Sequence, residues 1–132
     1  NRKFPRVFFI NMIYLEYLDL SQNQLKNISD IDESFYMPNL LVFKLNNNKI
    51  EVLNRFLFSS MNKLQILDLS NNYLDRLDKI IIQSLRQLRE VYLSGNRLKN
   101  LDSSLFSFSR YLNILHLSNM GLREINEAMF TN

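Results

Sequence analysis

Residues 64–77 read LQILDLSNNYLDRL, and the phrase returns as LEYLDLSQNQLKNI at residues 15–28 and as LREVYLSGNRLKNL at residues 88–101. Its opening leucine recurs as Leu15, Leu40, Leu64, Leu88 and Leu112, at steps of 25, 24, 24 and 24 residues. A fixed step of this size marks a stack of small units, none of which buries its apolar face alone. Function is therefore to be sought on a repeated surface and not in a pocket.

Inside each unit the apolar residues stand two apart, as in Leu18 and Leu20 or Val91 and Leu93, so they face one side of an extended strand while their neighbours face the other. Each unit contributes one short strand. The chain travels the same way in every unit, so the strands run parallel and the rest of the unit is the crossover that a parallel partner needs. Two columns, Leu25, Ile50, Leu74, Leu98, Leu122 and Ile28, Leu53, Leu77, Leu101, Ile125, carry the chain across the core. Phe58, Ile82, Phe106 and Phe130 return it along the back, with Phe9 in the partial unit before Leu15 and Phe35 displaced one place by the extra residue of the first full unit. Met12, Met37, Met61, Leu85 and Ser109 precede the strands; Phe and Met suit a wide, irregular interior. The expected organisation is the end of a preceding repeat over 1–14, then five repeats at 15–39, 40–63, 64–87, 88–111 and 112–132.

Asn23, Asn48, Asn72 and Asn96 form a further column where the chain leaves each strand. Backbone groups turned from water there need partners, and an Asn amide can satisfy them in its own turn and in the neighbouring unit. In the fifth unit this place holds Met120, with Asn119 one step early, which predicts a local rearrangement of that turn.

These motifs resemble the leucine-rich repeat family, across Leu15 to Asn132, and the 24-residue length with a return-path Phe is similar to extracellular receptors of the Toll, slit and chaoptin kind. The resemblance implies an α/β repeat solenoid, a horseshoe segment with a parallel sheet on its concave face and short irregular or helical turns on its convex face. It also implies binding of proteins or other large ligands without catalysis. Complete extracellular arrays are usually closed by cysteine-rich caps, whereas this chain has no Cys and starts at Asn1, so a segment of a longer array is expected.

The side chains between the framework leucines are the ligand-facing rows that this resemblance predicts. One row is Tyr17, Val42, Ile66, Glu90, Ile114 and the next is Asp19, Lys44, Asp68, Tyr92, His116, flanked by Glu16, Leu41, Gln65, Arg89 and Asn113. Tyr17 and Tyr92 are the best anchors, since Tyr offers area and a hydroxyl at low entropic cost. Val42, Ile66 and Ile114 suit any strand for local reasons as well. Acids outnumber bases here, Glu16, Asp19, Asp68 and Glu90 against Lys44 and Arg89, which counts against a polyanion in the concavity. Arg97, Lys99, Arg123, Lys26 and Lys49 lie just after the strands along one lateral edge, but Glu51, Asp75 and Glu124 interrupt them, so a solvated edge is expected and nucleic acid is not. The formal charge of +3 and pI near 9.3 fall short of a nucleic-acid signature.

No cofactor, metal or catalytic residue is expected. His116 is the single His and Cys is absent, which removes the usual zinc ligand sets. Tyr92 and His116 as neighbours form a polar contact patch able to respond to pH between 5 and 8, and Asp19 and Asp68 are kept apart by Lys44. Asn27-Ile28-Ser29 is the only glycosylation sequon. The leading expectation is a protein-binding or adhesive segment of an extracellular or cell-surface receptor, of innate-immune or developmental type. Its partners would be a protein ligand or co-receptor, or a second copy, with a membrane reached only through a parent chain. The alternatives are a cytoplasmic scaffold that organises other proteins and a segment that spaces two binding regions.

Overall fold

The computed structural model describes residues 9–28 and 35–130. Five strands, β1 (Tyr17–Asp19), β2 (Val42–Lys44), β3 (Ile66–Asp68), β4 (Glu90–Tyr92) and β5 (Ile114–His116), pair in parallel and in chain order. The register follows the columns: Tyr17, Val42, Ile66, Glu90 and Ile114 are successive partners, as are Asp19, Lys44, Asp68, Tyr92 and His116. Each strand therefore presents two side chains outward and sends its middle residue, Leu18, Phe43, Leu67, Val91 or Leu115, into the core.

The interior is fully closed in the middle of the stack, where Leu40, Leu45, Ile50, Leu64, Leu67, Leu69, Leu74, Leu88, Val91, Leu93 and Leu98 have no exposed surface. On the return path the buried residues come in pairs, Leu57 with Phe58, Ile81 with Ile82 and Leu105 with Phe106. Phe35 takes the expected place in the first full unit and joins an aromatic spine. Its ring meets Phe9 edge-on at 4.8 Å and Phe43 in a stack at 6.0 Å, and Phe43 continues to Phe58 at 6.3 Å. Such contacts add to the area each ring buries.

Every described return segment after β2 starts on a short oxygen-bearing side chain. Asn54 caps the 3₁₀ turn Arg55–Phe58, Asp78 caps helix α1 (Lys79–Ser84), and Asn126 caps the 3₁₀ turn Glu127–Met129. In the fourth unit Asp102 accepts the Ser104 N–H at 2.8 Å in the same way. These caps satisfy backbone donors that have no partner of their own in the first turn.

The Asn column bridges units. Asn48 Nδ2 donates to Leu20 O in the unit before and to Leu45 O in its own, both at 2.9 Å, while its Oδ1 accepts the Leu25 N–H at 3.1 Å. Asn72 and Asn96 repeat the arrangement, Oδ1 of each accepting from Ile50 and Leu74 in turn. Asn23 differs: it is exposed and donates only to Leu20 O and Ser21 O in its own turn.

Three expectations require correction. Ile125 and Phe130 are 57% and 52% exposed, with Met129 buried instead, because among the described residues no later unit packs over them. The rearranged turn is displaced by one residue. Asn119, at φ 53°, keeps the left-handed conformation of Gln22, Asn47, Asn71 and Gly95, and Met120 is buried in the Asn place. The departure comes at Gly121, at φ 71°, where the bonds that Tyr73 N–H and Arg97 N–H make to Ile50 O and Leu74 O are not repeated.

Candidate functional site

The concave face is a rigid ribbon on which side-chain order is dictated by backbone register. At its start the Lys44 ammonium lies 5.6 Å from the centre of the Tyr17 ring. The Tyr17 hydroxyl beside it holds Lys44 above the ordinary lysine value, with Asp19 and Asp68 adding to the effect from either side. Asp19 is held below the ordinary carboxylate value, chiefly by hydrogen bonding from Ser21, whose backbone N–H reaches Oδ1 at 2.9 Å. Asp68 Oδ1 accepts both the N–H and the hydroxyl of Ser70, at 2.9 and 2.6 Å. Both carboxylates thus tie down the turn that follows their strand while standing on the outward face.

At the far end the Tyr92 hydroxyl donates to Glu90 Oε2 at 2.8 Å, and this bond keeps its proton on to higher pH than an ordinary Tyr. The Tyr92 and His116 rings meet edge-on at 4.8 Å. Val42, Ile66 and Ile114 are half-buried between these polar groups. The ribbon thus runs from an exposed Tyr and a cation, past an apolar middle, to a Tyr and His pair. Lys44 separates Asp19 from Asp68 in the sheet, and no described group of three or more acid or His side chains is gathered to hold a metal.

The edge that follows the strands mixes its charges, and the Arg97 guanidinium is laid over the Tyr73 ring at 4.5 Å. Asn27 is exposed and its backbone bridges in parallel to Val52, while Ser29 of the sequon lies outside the described residues. The opposite edge, which precedes the strands, was not singled out by sequence reasoning. There Arg86, Gln87, Phe108, Arg110 and Tyr111 line a shallow cleft of about 280 Å³ between the ends of the third and fourth units. The Arg86 guanidinium lies 5.5 Å from the centre of the Phe108 ring. The available signal was the run of residues just before β3, β4 and β5, 60–65, 84–89 and 108–113, which holds four bases and no acid.

One parallel strand per unit, an Asn ladder at the strand exits and a Phe-lined return path define a leucine-rich-repeat solenoid, with its sheet concave and its short turns convex. Sequence models described as leucine rich repeat match residues 29–74 and, separately, residues 14–36, 63–86 and 87–109. The chain belongs to the leucine-rich repeat family. No curated protein sequence matches it. Among solved structures it is similar to a chain in the crystal structure of a TLR13–ssRNA13 complex, at 28% identity and a TM-score of 0.83. The alignment covers 98% of this chain and 18% of that one, so the chain spans less than a fifth of the length of this relative. Arrays of this kind are generally binding modules without catalysis.

Proposed function

We propose that the chain is a non-catalytic ligand-binding segment of a receptor ectodomain at the cell surface, and that it recognises a protein ligand or co-receptor through its concave ribbon. The observation that carries this reading is the register of the sheet. It sets Asp19, Lys44, Asp68, Tyr92 and His116 side by side on consecutive strands, with Tyr17 opening the neighbouring row, on a backbone already ordered before binding. Tyr17 and Tyr92 are the anchors, Ile66 supplies apolar contact between them, and the charged groups set orientation. With strands about 4.8 Å apart, five make a ribbon roughly 20 Å across. That is part of a protein interface, so the ligand is shared with further repeats or with a second copy. Likeness to a Toll-like receptor structure supports the receptor assignment, and the ssRNA in that complex supports a macromolecular ligand in general.

The test compares capture of solubilised cell-surface proteins by the immobilised chain and by a variant with Tyr17, Ile66, Tyr92 and His116 changed to Ala. The variant is expected to lose at least tenfold in capture, since truncating a few central anchors removes roughly 2 kcal/mol or more, while its circular dichroism is unchanged. If capture instead follows changes at Arg97, Lys99 and Arg123, the concave assignment is wrong. A parent reading frame without a signal peptide or membrane span would favour the cytoplasmic scaffold.

A further inference from the structure

The edge that precedes the strands has a character found nowhere else on the described surface. Lys63, Arg86, Arg89 and Arg110 come from three successive units, and segments 60–65, 84–89 and 108–113 contain no acid to offset them. None of the three arginines takes part in an ion pair among the described residues. Lys63 donates to Asn39 Oδ1 at 2.7 Å, and the nearest acid in sequence, Glu90, accepts the Tyr92 hydroxyl. The positive charge on this edge is therefore not compensated from within. Two rings stand among these cations, Phe108 at 46% and Tyr111 at 55% exposure, whereas five of the seven other described Phe are buried.

We infer that this edge is a binding site for single-stranded nucleic acid, in which Arg86, Arg89, Arg110 and Lys63 meet phosphates and Phe108 and Tyr111 stack on bases. Cations alone suit any polyanion. The rings decide between classes, because a cleft walled by Phe108, Tyr111 and two guanidinium groups receives a flat heterocycle on both aromatic and guanidinium planes. A puckered sulfated sugar gains no stacking there. A duplex hides its base faces and meets only the cations. The expectation that nucleic acid is not a partner rested on the modest overall charge, on the concave rows and on the edge after the strands, both of which mix their charges; segments 60–65, 84–89 and 108–113 carry cations alone.

The site uses none of the concave anchors, so it stands or falls apart from the reading above. The test is fluorescence anisotropy with a labelled single-stranded RNA of mixed sequence, about 12 nucleotides long, within the range such grooves hold. Arg86→Gln with Arg110→Gln is expected to weaken binding about tenfold or more and to lower the salt slope by about 1.4, as two lost phosphate contacts on a single strand require. Phe108→Ala with Tyr111→Ala is expected to weaken it about tenfold at an unchanged slope. Arg97→Gln with Lys99→Gln, on the opposite edge, is expected to stay within about twofold, since no phosphate contact is lost. Thermal melts accompany each variant, and the two pairs of changes on exposed side chains provide independent readings if one of them unfolds. The inference is overturned if the wild-type chain does not bind at low salt, or if the Arg changes leave affinity unaltered. It is equally overturned if the aromatic changes do nothing while a sulfated oligosaccharide or a duplex competes as well as the single strand, which leaves a plain polyanion surface.

Discussion

Asn72 shows how one side chain carries the stack from unit to unit. Its Oδ1 is the acceptor for the buried Ile50 N–H at 3.0 Å, and its Nδ2 donates to Leu45 O and Leu69 O. Those carbonyls are also reached by Asn48 and Asn96, so the loss of Asn72 leaves Ile50 N–H as the uncompensated group. Asn72→Ala is expected to cost about 2–3 kcal/mol, the penalty of an orphaned buried donor and weakened neighbours. Asn23→Ala, at an exposed amide bonded only to its own turn, is expected to cost less than about 1 kcal/mol. Urea midpoints of the two variants give the comparison, and equal costs would refute a bridging role. The Asn column was legible in the sequence because each member stands eight residues after the opening leucine of its unit. The weakness of Asn23 was not, because the bridging amide reaches back to the unit before, and no described strand precedes β1.

At the level of the element, the strands, their parallel order and their register followed from a period of two inside a period of about 24. The turns were less legible, because backbone conformation leaves no hydrophobic pattern. Each strand exit has a left-handed residue at the place of Gln22, Asn47, Asn71, Gly95 and Asn119, and only the fourth unit fills it with glycine, Gly95 at φ 73°. A Cβ there would run into Asn71 Oδ1 and press on the Asn71 backbone, whereas a Cβ on Gly121, at φ 71°, meets nothing within 4 Å. Both positions carry the left-handed strain of about 1 kcal/mol for an L residue. Gly95→Ala is expected to exceed that by displacing the Asn71 side chain, to roughly 2 kcal/mol, while Gly121→Ala stays near 1. Thermal denaturation of the pair checks the order, and a Gly121→Ala variant that is the less stable would show that the fifth turn is tighter than its geometry indicates. The capping positions Asn54, Asp78, Asp102 and Asn126 were equally open to a column reading. Their polar, mixed identity hid them beside the leucines. At Asp102 the hydroxyl and N–H of Ser104 hold the carboxyl below its ordinary value, with Lys79 at 3.5 Å contributing.

For the whole molecule, aligning framework columns accounts for the solenoid but not for what the stacking assembles from different units. The cleft between Arg86 and Tyr111 joins the tail of one repeat to the tail of the next, and the charge of that edge appears only when the segments before the strands are laid side by side. Ile125 and Phe130 mislead for the related reason that a column states which way a residue faces and not whether a neighbour covers it. The same nearest-neighbour logic predicts how the stack opens. Stability in such an array is close to a sum of unit and interface contributions, so a unit with one neighbour opens before a unit with two. Leu45 and Leu69 are fully buried and donate their N–H to Asp68 O and Tyr92 O, at 2.8 and 2.9 Å, whereas Leu117 is half-buried and follows the last strand. Amide exchange is expected to be slowest at Leu45 and Leu69 and fastest at Leu117. Leu67→Ala, which removes a fully buried side chain from the central strand, is expected to cost about 2–5 kcal/mol. It should speed exchange at Leu45 and Leu93, on either side of β3, far more than at Leu117. Uniform protection along the sheet, or an equal loss at all four amides on mutation, would mean that the five units open only together, and the additive description would then fail for this segment.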